Sequence, residues 1–173
     1  MLKLSSLSTQ IRPIVHADLA LVLAWRNHPD VRRFMYTQHE ITLAEHQQWF
    51  ERSLRDPKKH LFIFEAKHKP VGFVNFSETE IHGIAEWGFY TAPDAAKGSG
   101  RQLGHAALCH AFYKLKLHKV NGQALAYNER SIQMHQALGF QQEGLLREQH
   151  FDGVRYHHVI LYGLLCHEWQ PSM

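Results

Sequence analysis

The chain has 173 residues, of which 45% are hydrophobic and 20% are charged, and its formal net charge at pH 7 is +3. This composition predicts one globular domain with a hydrophobic core and excludes a disordered or fibrous chain. The sequence shows no apolar run long enough to cross a membrane, no signal-peptide pattern and no Lys/Arg-rich segment, so we expect neither a membrane nor a nucleic-acid partner.

The hydrophobic pattern predicts an edge strand at 10–14 and a helix that begins at Asp18 and ends near Asn27. A second helix begins after Thr42, which forms a capping box with Glu45, and ends near residue 54. The period then becomes that of strands, at 61–65, 71–76 and 84–90. A turn signal at 67–70 predicts that the first two of these strands form a hairpin.

Gly88 lies inside the third of these strands, where a glycine marks a bulge or a close approach of another backbone or ligand. The glycine-rich segment 95–104 then precedes a helix of about fifteen residues. A strand at 120–127, a short helix that ends at Gly139 and two strands around the turn Asp152-Gly153 complete the pattern. The order β-α-α-β-β-β-α-β-α-β-β predicts one mixed α/β domain over residues 1–173.

Cysteine and histidine usage bears on redox state and metal binding. The sequence has two cysteines, Cys109 and Cys166, which favours a reduced, cytoplasmic protein. It has 15 histidines, but no His-Glu-x-x-His or Cys-x-x-Cys motif, and His157 and His158 would face opposite sides of a strand. We therefore expect no metal.

The glycine-rich segment places Gly98, Gly100 and Gly104 beside Lys97 and Arg101. The spacing fits neither the G-x-G-x-x-G dinucleotide motif, because the third glycine is one residue late, nor the Walker loop, because no Gly-Lys-Ser/Thr ends it. Unpaired amides at a helix start attract anions, so we expect a pyrophosphate to lie against this backbone with the two cations nearby. An ordinary flexible loop that caps a helix is the alternative interpretation.

A second motif follows the strand at 120–127. Asn-x-x-Ser runs from there into Gly-Phe, and together with the glycines this pattern resembles the GNAT superfamily of acetyl-CoA-dependent N-acetyltransferases. The order of elements fits that superfamily from residue 11 to about 164. Ala95 is a departure, because it stands where the family usually has arginine or glutamine. The residues that carry the resemblance are Gly98, Gly100, Asn128, Ser131, Gly139 and Phe140.

The resemblance implies a single-domain α/β GNAT fold with a central mixed, mostly antiparallel sheet, splayed at the fourth and fifth strands and flanked by about four helices. Acetyl-CoA would be the co-substrate and would lie in the gap between 86–90 and 120–127, which a bulge at Gly88 would help to open. The implied cofactor-binding residues are Phe89, Lys97, Gly98, Ser99, Gly100, Arg101, Gln102, Leu103, Gly104, Asn128 and Ser131.

The resemblance also implies proton-transfer roles. Many members place a tyrosine seven residues after the motif asparagine as the acid that protonates the leaving thiolate, and here that position is His135. A side chain that only fills a helix face is the alternative for this histidine. Glu86 is the best-placed carboxylate for a general base, acting through a water, and a purely structural carboxylate is its alternative.

The N-terminal half resembles a narrower branch, the UDP-4-amino-sugar N-acetyltransferases of pseudaminic acid biosynthesis, in its Arg-Asn-His-Pro segment, its Met-Tyr pair and the histidine of the next helix. That branch acetylates UDP-4-amino-4,6-dideoxy-N-acetyl-β-L-altrosamine on the route to a sugar of flagellin. The resemblance implies direct transfer in a ternary complex with this small-molecule nucleotide sugar. The implied acceptor residues are Arg26, Met35, Tyr36, His46 and Trp49.

Other interpretations stay open at this point. Met35 can be plain core, since apolar side chains at helical spacing usually are. The run that ends at Glu143-Gly144 is shared with acetyltransferases that act on N-termini of ribosomal proteins or peptides. A non-catalytic module that binds an acyl-CoA or a nucleotide sugar is a further possibility. By analogy with the family, the final strands could also pair in a homodimer.

Overall fold

Alternating apolar residues build one seven-stranded sheet with a hydrophobic core on each face. The computed structural model describes residues 8–171. The strands are β1 (Thr9–Pro13), β2 (Lys59–Ala66), β3 (Lys69–Glu78), β4 (Ile84–Thr91), β5 (Lys119–Leu125), β6 (Gln141–Phe151) and β7 (Tyr156–Leu165), in the spatial order β1-β2-β3-β4-β5-β7-β6. The α-helices are α1 (Leu19–Asn27), α2 (Pro29–Arg32), α3 (Leu43–Arg55), α4 (Ser99–Tyr113) and α5 (Glu129–Ala137).

Strand alternation divides the core between the two faces. Phe62 and Phe64 of β2 pack with α4 in one cluster, whereas Leu61 and Ile63 of the same strand pack with α1 and α3 in the other. This is the period-two pattern that a sheet covered on both sides requires. The sequence prediction of a mixed α/β fold is therefore confirmed, and its elements occur in the predicted order apart from one additional short helix.

One short helix, α2, was not predicted. The sequence prediction ends the first helix near Pro29, because proline cannot continue a helix. Pro29 instead occupies the first turn of α2, where its missing N–H costs nothing, and the side chain of His28 caps the helix by accepting from the Asp30 amide at 3.2 Å. A residue that stops one helix thus starts the next.

The sheet opens between β4 and β5. These two parallel strands pair only at Ile84–Lys119, Ala85–Val120 and Glu86–Asn121, after which β4 continues to Thr91 and β5 to Leu125 without pairing to each other. β4 remains fully paired to β3 on its other side, and β5 to β7. The splay predicted at the fourth and fifth strands is therefore confirmed, and it leaves two strand edges facing a gap.

The bulge predicted at Gly88 is wrong. β4 pairs with β3 in an unbroken register through Gly88, which lies opposite Asn75. A Cβ at this position would come within 2.8 Å of the Asn75 Oδ1, so the glycine gives room to a neighbouring side chain that would otherwise have to move. The gap arises because β5 diverges, without any irregularity in β4.

Helix α4 is held against α5 beside this gap. A Cβ on Gly104 would lie 2.5 Å from a methyl carbon of Leu138, so the glycine allows the two helices to approach closely. Leu103, on the same turn, is fully buried in the core. This packing between α4 and α5 therefore fixes the position of their N-termini, which face the gap. No helix within residues 8–171 is long and apolar enough to cross a membrane.

Candidate active site

A cleft of about 1310 Å³ lies where β4 and β5 diverge. Its walls come from β4, β5, the starts of α4 and α5, and the loop after α2. The predicted site residues that line it are Met35, Tyr36, Glu86, Phe89, Lys97, Gly98, Gly100, Arg101, Asn128 and Ser131. Those that do not line it are Arg26, His46, Trp49, Ser99, Gln102, Leu103, Gly104 and His135.

The start of α4 presents free backbone donors to the cleft. Gly98 is the N-cap, with a φ of 91°, and no side chain caps the helix. The Ser99 amide donates to Ala96 and the Gln102 amide donates to Gly98, so the amides of Gly100 and Arg101 are without a protein acceptor in the described part of the chain. Two adjacent free amides at a helix start form a site for an anion.

The predicted phosphate site is therefore shorter than the sequence suggested. Ser99 is buried and its amide is bonded, while Gln102 is exposed but does not line the cleft, and its amide is bonded too. Leu103 is core, and Gly104 serves the contact with α5. The Ser99 amide bonds to the loop before α4 and the Gln102 amide to the N-cap residue, so within the first turn only the amides of Gly100 and Arg101 are left for a ligand.

Cations surround these free amides. Lys97 and Arg101 line the cleft, as does Arg130 from the first turn of α5, which the sequence analysis did not select. The sequence could have indicated Arg130, because it comes two residues after the motif residue Asn128. Asn128 is the N-cap of α5, and its side chain accepts from the Ser131 amide at 3.2 Å. The charge and the free amides together fit the pyrophosphate of a nucleotide-type cofactor.

His135 lies beneath the cleft, with none of its surface exposed. The Trp87 indole N–H donates to its Nε2 at 3.1 Å, and its Nδ1 lies 2.8 Å from the Ser131 carbonyl oxygen. An indole only donates and a carbonyl only accepts, so these partners fix the neutral tautomer with the proton on Nδ1. Neither ring nitrogen has an N–H left for a ligand, which supports the helix-face interpretation rather than the proton donor.

Burial also keeps His135 uncharged. Desolvation lowers its pKa to about 4, against the opposing effect of the hydrogen bond to the Ser131 backbone. The ring stacks on Tyr162 with centroids 4.8 Å apart. A Cβ on Gly122 would lie 2.5 Å from the Nε2, so β5 needs glycine where it passes this ring.

Glu86 lies at the vertex of the opening, because it and Asn121 form the last β4–β5 pair. Glu86 is exposed in the cleft, and the Asn121 Oδ1 is buried without a donor in the described part of the chain. The Tyr36 hydroxyl donates to Gln123 at 2.6 Å and so ties the loop after α2 to β5. Burial, and the negative charge of Glu86, raise the pKa of Tyr36, so this hydroxyl stays protonated.

Arg26, His46 and Trp49 form a group behind the cleft wall. The rings of His46 and Trp49 stack at 5.1 Å, and the Arg26 Nη2 donates to the Thr37 carbonyl at 3.1 Å. The Arg26 Nη1 and the His46 Nε2 are buried without hydrogen-bond partners among residues 8–171. Desolvation lowers the pKa of both side chains; for His46 a contact with the Leu19 backbone opposes this lowering of the pKa, and the Arg26 charge adds to it.

This group reaches the cleft through Tyr90, a lining residue close enough to Arg26 for the guanidinium charge to oppose the rise that burial causes in the tyrosine pKa. Two buried polar nitrogens without partners are costly unless a ligand or water completes them. Among the described residues, no group of three or more His, Cys, Asp or Glu side chains is arranged to hold a metal ion.

Comparison with known proteins gives a family for this arrangement. The family model described as an acetyltransferase (GNAT) domain matches residues 9–141. Acetyltransferase PseH of Campylobacter jejuni is 29% identical over 123 residues, which are 71% of this chain and 76% of that protein. Spermidine N(1)-acetyltransferase of Escherichia coli K12 is 25% identical over 167 residues, which are 95% of this chain and 90% of that protein.

Among solved structures, spermidine N-acetyltransferase from Vibrio cholerae in complex with CoA and spermine aligns with a TM-score of 0.86. The alignment covers 92% of this chain and 96% of that one at 24% sequence identity, so the likeness shows the fold.

Replacing Gly100 with valine tests the anion site. We expect Gly100→Val to weaken CoA binding at least about tenfold, because a branched side chain at this lining position covers the two free amides. Isothermal calorimetry with CoA measures this. Gln102→Val is the control, since it introduces the same side chain into α4 at an exposed position outside the cleft lining. Equal affinity in both variants would contradict the anion site.

The state of His135 predicts a pH dependence of stability. The unfolded chain binds a proton on this residue below pH about 6.5, whereas the folded chain resists protonation until pH about 4. As the pH is lowered from about 6.5 to about 4, the free energy of unfolding should therefore fall by about 3 kcal/mol more in the wild type than in His135→Gln. Urea unfolding of both proteins measures this, and parallel curves would contradict a buried neutral ring.

Proposed function

We propose a specific acceptor for this protein, which belongs to the GNAT acetyltransferase family and transfers an acetyl group from acetyl-CoA to an amine. The proposed acceptor is the 4-amino group of a UDP-4-amino-4,6-dideoxy-N-acetyl-altrosamine type sugar nucleotide, as in pseudaminic acid biosynthesis. Acetyl passes directly to the amine in a ternary complex. The main support is the buried pair of unpartnered nitrogens on Arg26 and His46.

That pair favours an acceptor that carries negative charge. A guanidinium with a free, buried N–H attracts a phosphate or another hydrogen-bond acceptor, and it repels a polyamine. Trp49, against which the buried His46 ring stacks, is half-buried and is the flat aromatic surface of this group on which we propose that a uracil packs. A UDP sugar has a phosphate and a uracil to make these two contacts, and spermidine has neither.

The vertex of the cleft suits the amine end of the same molecule. Glu86 has no hydrogen-bond or ion-pair partner in the described part of the chain and lies where β4 leaves β5. Its carboxylate takes a proton from the acceptor ammonium, and the neutral nitrogen then forms a bond to the acetyl carbon. The carbon–sulfur bond breaks with its electron pair leaving on sulfur, and the second proton that the nitrogen loses passes to this thiolate, which gives the amide and free CoA. Acetyl-CoA supplies the acetyl group as a thioester.

The proposed site has a cation, Arg26, at one end and a carboxylate, Glu86, at the other, so it fits an acceptor that carries both a negative and a positive charge. An amino-sugar nucleotide has a diphosphate and an amine, so it satisfies both ends. A polyamine would satisfy Glu86 but would leave Arg26 uncompensated. We therefore place the nucleotide toward Arg26, His46 and Trp49, the sugar beside Met35 and Tyr36, and the amine at Glu86.

A substrate panel tests the proposal through release of CoA. We expect kcat/KM for the UDP-4-amino sugar to exceed that for spermidine or an N-terminal peptide amine by about 100-fold or more, because a site built around polar groups rejects ligands that leave them unpaired. Turnover of spermidine alone or of peptides alone would overturn the acceptor. Binding of both ligands without any CoA release would indicate a non-catalytic module.

Arg26→Met is the matched variant. We expect it to lower kcat/KM for the UDP sugar by about tenfold or more while leaving the melting temperature unchanged or higher, because it removes a buried, partly unpaired charge. An equal loss of activity with a small amine that lacks the nucleotide would show that Arg26 supports the fold and does not recognise the acceptor.

A further inference from the structure

Glu143 is an extra residue in β6. The strand pairs with β7 at Gln142–Tyr162 and again at Gly144–Leu161, so Glu143 between them has no partner residue. Such a bulge redirects the side chain that it carries. Here the redirected carboxylate lines the cleft, although β6 is the edge strand of the sheet.

Two neighbours hold this carboxylate in place. A Cβ on Gly163 of β7 would overlap both carboxylate oxygens, so the side chain lies directly over the glycine. The Lys119 ammonium is 2.8 Å from the Oε2. The Oε1 has no hydrogen-bond partner among residues 8–171, so one oxygen of this cleft-lining side chain is anchored and the other is left for a ligand.

Strand register aligns this carboxylate with the vertex of the cleft. Asn121 pairs with Glu86 on one side and with Gly163 on the other. Partner residues of adjacent strands point to the same face of a sheet, so Glu86, Asn121 and the carboxylate over Gly163 form a row about two strand spacings long, or roughly 10 Å. Asn121 adds to the row a side-chain oxygen, Oδ1, that has no hydrogen-bond donor among residues 8–171.

We propose that Glu143 is a positioning residue that holds the acceptor amine as its ammonium beside Glu86. This inference rests on amine acetylation in this cleft. An ammonium has three N–H donors, and the row offers acceptors that lack donors. Because the Glu143 charge is already shared with Lys119, we assign proton transfer to the unpaired Glu86 and binding to Glu143.

The geometry allows a test that leaves the charge unchanged. Gly163→Ala keeps the Glu143 charge but should displace its carboxylate. We expect this displacement to weaken acceptor binding as much as the loss of the charge in Glu143→Gln does. We expect either variant to raise KM for the acceptor about tenfold, with kcat within about threefold and KM for acetyl-CoA unchanged. Glu86→Gln should instead lower kcat, because it removes the group assigned to proton transfer. The double variant at 143 and 163 should be no worse than either single one, because both act through one carboxylate.

Controls separate this effect from a loss of structure. Gly144→Ala places its Cβ at an ordinary 3.4 Å from Leu161, and Glu148→Gln removes an exposed carboxylate from the same strand, so both should behave as wild type. Melting temperature and CoA titration check folding.

The kinetics use whichever amine the protein acetylates, so an error in the proposed sugar does not obscure the result. An unchanged acceptor KM in Glu143→Gln and Gly163→Ala, or an equal rise in KM for acetyl-CoA, would overturn the inference.

Discussion

The site depends on one constraint, the loss of pairing between β4 and β5 after Glu86 and Asn121. Two strands that separate inside a sheet leave backbone donors and acceptors without partners, and such groups need a ligand or water. The gap also exposes the first turn of α4, where Gly100 and Arg101 keep free amides. A pantetheine-like arm and a pyrophosphate match these two sets of groups, which explains why the family uses this fold for CoA.

Beneath the vertex of the gap lies a set of uncharged polar groups that hydrogen-bond to one another. Trp87, His135 and Ser131 form a chain of hydrogen bonds in which each donor has an acceptor. Gly122 lets β5 pass over the histidine without a clash. The opening is thus supported by a rigid, uncharged base, while ionised side chains are kept for its walls. A buried polar network is stabilising only when it is fully satisfied, and this one is.

Features that depend only on neighbouring residues, such as turns and helix caps, were predicted correctly from the sequence. Lys67 and His68 both adopt positive φ in the predicted hairpin turn, and the capping box of Thr42 forms as expected. The gap itself followed from the family resemblance. The remaining features depend on contacts that are distant in sequence: Gly88 gives room to Asn75 on the next strand, His135 accepts from Trp87, and the Glu143 carboxylate lies over Gly163. No spacing along the chain reports such pairs.

The central claim is that a CoA thioester binds along the unpaired edge of β4 and at the start of α4. Amide hydrogen exchange with and without CoA tests it most directly, because it reports individual backbone groups. The account predicts slower exchange at Gly100 and Arg101 and at amides of 87–91 that face the gap, with little change in β1 and β2. Unchanged exchange at these amides in the presence of saturating CoA would contradict it.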